Sequence, residues 1–177
     1  MASGLRTQPC PGQTLANISV MEPARAQPRN IGRAILLAVL CTTIGALSAE
    51  ATLPEIKGWY AGLTKPWFNP PNWVFGPVWL MIYVWMALDA SAAWDNRAAR
   101  RTFFIILPVN ALWSLLFFGL HRPDLALIDV LIYLILLVIW IRQLWPLHRD
   151  HAKLQVIHLL WVSFATVLNA SIWWLNK

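Results

Sequence analysis

Residues 59–79 read WYAGLTKPWFNPPNWVFGPVW, with Trp59, Trp67, Trp73 and Trp79 interleaved with Pro66, Pro70, Pro71 and Pro77. The stretch lies between two apolar segments, and residues 54–73 have no obvious helix or strand period of their own. Connections of that length are uncommon, and are usually either functional or disordered. Disorder fits poorly here, because disordered segments lack aromatics. Each proline fixes its own φ and pushes the residue before it toward extended geometry. Lys65–Pro66 and Asn69–Pro70–Pro71 should therefore form a stiff strap rather than a tether. Large rings on a preset backbone lose little entropy when a flat ligand docks. The plainer alternative is an aromatic belt, since Trp and Tyr gather at headgroup level in membrane proteins.

The rest of the chain supplies the setting. Of its 177 residues, 58% are hydrophobic and only 12% charged, with a mean hydropathy of +0.54. Soluble domains carry about 25% charged residues, so the composition predicts an integral membrane protein, and the length allows one domain. Twelve Trp exceed what anchoring requires. A net charge of +6 would suit nucleic acid or anionic lipid. The positive residues fall between apolar segments instead, as topology determinants do, so no nucleic-acid partner is expected. Cys10 and Cys41 imply neither a metal site nor a disulfide framework.

Residues 1–30 are polar and Pro-rich and read as a disordered extension. The membrane domain then covers 31–177, with apolar spans at 31–53, 74–93, 102–120, 125–141 and 154–174, and the aromatic loop at 54–73. Each span approaches the ~20 residues needed to cross a bilayer. Backbone groups must be satisfied inside lipid, so these are helices, and the predicted fold is an all-α, five-helix bundle. The first span has some features of a signal peptide, but its removal would take a helix from the bundle. With the N-terminus in the cytosol, ten Lys and Arg residues fall on that side and four on the other. The aromatic loop then faces away from the cytosol.

Helical spacing puts Phe75, Trp79, Tyr83 and Met86 on one face, Asn110, Trp113, Ser114 and Phe117 on another, and Asp129, Tyr133, Leu136 and Trp140 on a third. Trp161, Ala165, Leu168 and Ile172 align on the last span, with Asn169 beside them. Such stripes are most often helix packing. Several helices offering rings and sparse amides under a ring-rich cover also fit an apolar pocket with a few orienting polar groups. Gly45 and Ala49 permit close helix contact. Intramembrane Asp89 and Asp129 are functional candidates by default. Asp129 is one turn from Tyr133 and could be satisfied by it or by another helix, Asp89 is near enough to a basic end to reach water in part, and structural pairing is the plainer reading of both. With no His nearby in sequence, acid–base catalysis has no specific support. His148 and His151 read as solvated interfacial residues. His158 reads as a polar anchor near a membrane boundary, with axial haem ligation the sharper alternative. No phosphate loop, nucleophile elbow or zinc-protease motif occurs, and no metal site or required cofactor is expected.

The motifs W-Y-x-x-L-x-K-P-W-F-x-P-P at Trp59–Pro71, F-G-P-V-W at Phe75–Trp79, N-A-L-W-S-L-L-F-F-G at Asn110–Gly119 and W-V-S-F-A-T-V-L-N at Trp161–Asn169 resemble the TspO/MBR family of translocator and tryptophan-rich sensory proteins. The resemblance covers about residues 33–176. It implies a five-helix bundle, commonly a homodimer, whose pocket binds protoporphyrin IX, haem-related tetrapyrroles and synthetic isoquinoline or benzodiazepine ligands. By motif position Trp59, Trp79, Asn110, Trp161 and Ala165 match the family pocket, and Pro66–Pro71 its lid. Tyr60, Lys65, Pro66, Trp67, Phe68, Pro70 and Pro71 on the strap, with Tyr83 and Trp113 below, complete the candidate ligand set. Lys65 is placed to meet a propionate. The implied function is a tetrapyrrole-binding sensor, scavenger or transporter. Its alternatives are light-dependent protoporphyrin breakdown, in which Trp59 and Trp161 would support the chemistry, and a ligand-regulated scaffold. The end of the last span lacks the Tyr of the sterol motif of animal relatives, so sterol binding is doubtful.

Overall fold

The computed structural model describes residues 30–177. Its helices are α1 (Ile31–Lys57), the single turn α2 (Trp59–Gly62), α3 (Phe75–Ala92), α4 (Arg97–Ser114), α5 (Pro123–Leu144) and α6 (Arg149–Leu175), with no strand among the described residues. Five helical stretches among them are long and apolar enough to cross a membrane, as the composition predicts. At 1.5 Å per residue, the 27-residue α1 and α6 are each about 40 Å long. Of the extension at 1–30, only Asn30 is among the described residues. Its side chain accepts the Arg33 amide at 3.1 Å and caps α1. Asn96 caps α4 in the same way, accepting from Ala99 N at 2.9 Å.

Four helices outrun their apolar spans. α1 continues through Pro54 to Lys57, α4 starts at Arg97 rather than 102, α5 runs Pro123–Leu144 rather than 125–141, and α6 starts at Arg149 rather than 154. Hydropathy marks the part of a helix that suits lipid. Arg, Lys and Ala remain good helix formers beyond it, so the helix ends at its cap and not where the apolar run stops.

The helices close into a ring in the order α3–α1–α4–α5–α6, with α6 returning to α3. Sequence neighbours α3 and α4 are thus separated by α1, which packs on both. Leu37, Met86, Phe103, Leu137, Trp140 and Leu144 fill one half of the interior. At the other end Tyr60, Phe117, Phe118, Ala126, Leu168 and Ile172 form a second cluster beneath the strap. Ile35, Leu131, Ile135, Leu160 and Val167 point outward, as a lipid-facing surface requires.

The end of α4 departs from α-geometry. Leu115–Gly119 form a π turn, closed by Leu120 N–H donating to Leu115 O at 2.8 Å. Such turns concentrate at functional sites. Phe117 and Phe118 of this turn are both buried and pack against Tyr60 of the strap. His121 then turns the chain with a φ of 52°, and Arg122 N–H donates to Leu116 O at 2.9 Å.

Candidate ligand-binding site

Beneath the strap lies a cavity of about 640 Å³, within the range of small-molecule pockets. Its ceiling is Tyr60, Asn72 and Trp73. Its walls are Phe75, Trp79 and Tyr83 of α3, Asn110 and Trp113 of α4 with Phe117 and Phe118 of the π turn, and Ala165, Leu168 and Asn169 of α6. α1 contributes a face of small and hydroxyl residues: Thr42, Gly45, Ala46, Ser48, Ala49 and Thr52. Asp129, Val130 and Tyr133 of α5 line the deep end.

Ring packing fixes the walls. Trp113 stacks on Phe117 with centroids 5.0 Å apart, and Trp79 lies 5.7 Å from Tyr83. Trp113 Nε1–H donates to Asn169 Oδ1 at 3.0 Å, and Asn169 Nδ2 donates to Pro123 O at 2.8 Å, tying α4, α6 and the start of α5 together. The Tyr83 hydroxyl donates to Asn110 Oδ1 at 2.7 Å, joining α3 to α4. α1 fits closely against α3 at Gly45, where a Cβ would overlap Tyr83 Cε2.

The strap is held at several points. Asn176, past the end of α6, pairs with both backbone groups of Thr64: Thr64 N–H donates to Asn176 Oδ1 and Asn176 Nδ2 donates to Thr64 O, each at 2.9 Å. The Tyr60 hydroxyl donates to Asn69 Oδ1 at 3.0 Å. Burial pushes this phenol above its ordinary pKa, with the Asn69 bond pulling the other way. Lys65 Nζ donates to Leu63 O at 3.1 Å and sits 4.6 Å from the Tyr60 ring centroid, above the ceiling.

Of the candidate ligand set named from the sequence, Tyr60, Trp79, Tyr83, Asn110, Trp113 and Ala165 meet on the cavity wall. The others lie around it. Trp59 stacks on His121 at 4.4 Å and abuts Phe117, while Trp161 packs against Phe75 and Phe164, each with centroids 5.7 Å away. Lys65, Pro66 and Trp67 border a shallow groove against the end of α6, and Trp67 is 95% exposed. Phe68 contacts Trp67 and Phe164. Pro70 and Pro71 lead into the 3₁₀ turn Asn72–Val74 that carries the ceiling. The α1 face was missed as a wall. Its signal was the run of Thr, Gly, Ala and Ser at helical spacing, read only as a helix contact.

The buried polar groups also differ from the expectations. Asp89 does not reach water: it is 0% exposed and bonds His151 Nδ1 and Gln155 Nε2 of α6, so a histidine is nearby after all. Sequence distance hid the pair, because the ring order, not adjacency, brings α3 to α6. His151 is correspondingly more than a solvated interfacial residue. Tyr133 does not satisfy Asp129, for its hydroxyl bonds His158 Nε2 at 3.1 Å. His158 itself is fully buried rather than interfacial, and its Nδ1 meets Gln155 Oε1 at 2.8 Å. With both ring nitrogens engaged, it is not arranged as an axial ligand. No group of three His, Cys, Asp or Glu residues placed to hold a metal occurs among the described residues.

Comparison with known proteins agrees with this architecture. The sequence model of the TspO/MBR family matches residues 35–175. The chain is 38% identical over 149 residues to "Tryptophan-rich protein TspO" of Archaeoglobus fulgidus, covering 81% of this chain and 95% of that protein. It is 32% identical to "Protein CrtK" of Rhodobacter capsulatus, covering 80% and 92% respectively. It is 33% identical to the human "Translocator protein", covering 65% and 73%. A multi-pass helical bundle with these motifs in order, matched over most of its length, belongs to the TspO/MBR family of integral membrane proteins.

Proposed function

We propose that this protein binds a flat tetrapyrrole of the protoporphyrin class in the cavity beneath the strap, and acts through that binding as a sensor, scavenger or transporter. The observation that carries the reading is the cavity itself. Its walls offer Trp73, Phe75, Trp79, Tyr83, Trp113 and Phe117 from the strap and two helices. Aromatic pairs contribute about 0.5–1.5 kcal/mol each beyond burial, so a disc-shaped apolar ligand matches this lining better than a compact polar one. Lys65 supports the same reading: its ammonium lies 4.6 Å from the centroid of the Tyr60 ring that roofs the cavity, a cation within reach of a propionate that passes the strap. The bias of ten positive residues to four supports a cytosolic N-terminus with the strap on the other side. Pairing into homodimers, implied by the family resemblance, belongs to the same reading and is tested by the mass of the detergent-solubilised particle.

The binding test is titration of the purified protein with protoporphyrin IX in the dark, read by quenching of Trp fluorescence. Saturable quenching is expected, weakened by Trp79→Ala. Trp161→Phe, which alters a ring behind the wall, should leave the affinity nearly unchanged. Quenching that never saturates would remove the tetrapyrrole reading.

A further inference from the structure

We propose that the deep end of the cavity is a hydrogen-bond-acceptor subsite built on Asp129 and Tyr133, which takes the N–H donors of a flat aromatic ligand and favours a cationic one. The proposal rests on the same cavity as the proposed function, but not on the ligand being a tetrapyrrole.

Asp129 provides the first observation. It is 5% exposed and lies on the cavity wall, and its Oδ2 is buried with no hydrogen-bond partner among the described residues. A buried carboxylate without a donor is costly, and an N–H brought to this carboxylate by a ligand in the cavity would offset that cost.

Tyr133, one turn along α5 and also on the wall, provides the second. The direction of its hydrogen bond is set from outside the cavity. The Asp89 carboxylate accepts from Gln155 Nε2, which leaves Gln155 Oε1 facing His158 Nδ1. That oxygen can only accept, so Nδ1 carries the proton. Neutral imidazole then has a lone pair at Nε2, and the Tyr133 hydroxyl must donate to it. A hydroxyl has one proton. With that proton committed to His158, Tyr133 offers the cavity only its oxygen lone pairs. Asp89, Gln155 and His158 are therefore positioning residues, which fix the polarity of the Tyr133 hydroxyl without lining the cavity themselves.

The opposite wall is arranged likewise. On α1 the hydroxyls of Thr42, Ser48 and Thr52 donate to Ala38 O, Ile44 O and Ser48 O of their own helix, at 2.8, 3.0 and 3.0 Å. Tyr83 gives its proton to Asn110. Donors remain on Ser114, on the Asn72, Asn110 and Asn169 amides and on the Trp73 and Trp79 indoles, none of them on α5. A ligand with its donors deep and its acceptors or anionic groups toward Lys65 fits this polarity, and the reverse orientation does not.

The test uses the full chain in detergent at neutral pH and follows Trp quenching by two probes. Diaminoacridinium is a flat cation with N–H donors, and acridine has the same rings without the amino groups. Diaminoacridinium is expected to bind at least ~10-fold more tightly, the scale of one hydrogen bond to a charged group. Asp129→Asn should remove most of that preference and leave acridine binding where it was, and Tyr133→Phe should remove part of it. Equal binding of the probes to the native protein would overturn the proposal. So would an Asp129→Asn variant that weakens both probes alike, since that would show a structural role only. Should Asp129→Asn fail to fold, Tyr133→Phe decides, an unchanged preference counting against the subsite. Protoporphyrin IX titrated in parallel separates the two readings. Its saturable binding without discrimination between the amines sinks the subsite alone, and discrimination without porphyrin binding sinks the tetrapyrrole reading alone.

Discussion

Gly45 has no room for a side chain. A Cβ there would overlap Tyr83 Cε2, and the Tyr83 ring cannot swing away without giving up its 2.7 Å bond to Asn110. Gly45→Ala should therefore destabilise the bundle by about 1–3 kcal/mol, as overpacking does, and lower its thermal midpoint in detergent. Gly76, also on the cavity wall, is the control: a Cβ there meets nothing within 4 Å. Alanine in a helix is favoured over glycine by roughly 0.5–1 kcal/mol, so Gly76→Ala should be neutral or slightly stabilising. Equal losses at both positions would contradict the contact. Asp89 makes the complementary case. Asp89→Ala would take the hydrogen-bond acceptor from Gln155 and His151 across the α3–α6 contact, and leaving buried polar groups without that partner is expected to cost about 1–3 kcal/mol. A variant that melts with the native protein would show the pair to be unimportant. The sequence marked Asp89 as an intramembrane acid but could not name its partner, 62 residues away along the chain. At Asp129 it offered Tyr133 or another helix, and Tyr133 turns to His158 instead. A four-residue spacing puts two side chains on one face, but says nothing about which way a hydroxyl turns when His158 of another helix is in reach.

At the scale of elements, the strap matters because it is rigid and fastened. Pro66, Pro70 and Pro71 made its stiffness readable. Its fastening was not, since Asn176 lies 112 residues from Thr64 and is an unremarked polar residue at a helix end. Asn176→Ala leaves the Thr64 N–H and C=O without these partners. Amide exchange around Thr64 should rise well above that of the native protein, while exchange within α5 stays as it was. Unchanged exchange at Thr64 would mean that the prolines alone hold the strap. The α1 face was half readable. Small residues at helical spacing signal close approach, and Gly45 does meet Tyr83, but the same smallness at Ala46, Ala49 and Thr52 makes space for the cavity. Periodicity cannot distinguish a surface that touches a neighbour from one that stands back from it.

For the whole molecule, five apolar spans could be counted from hydropathy, because satisfying the backbone in lipid leaves helices as the solution for such segments. Their ring order could not, since several circuits join five antiparallel helices with short links. That order decides the chemistry: it separates α3 from α4, brings Asp89 to α6, and opens one cavity lined by the strap and all five long helices. Aromatic anchoring is also present. Trp94 holds Arg33 and Arg100 over its ring at one end, and Trp174 holds Lys177 at the other. The belt and the pocket are thus different sets of rings, and the strap contributes to both, with Trp67 outside and Tyr60 inside. The most direct measurement is dark titration of the detergent-purified protein with protoporphyrin IX, following Trp fluorescence in the native chain, Trp79→Ala and Trp161→Phe. Saturable quenching is expected, weakened in Trp79→Ala and persisting in Trp161→Phe. Quenching without saturation, or equal loss in both variants, would contradict a ligand seated in this cavity.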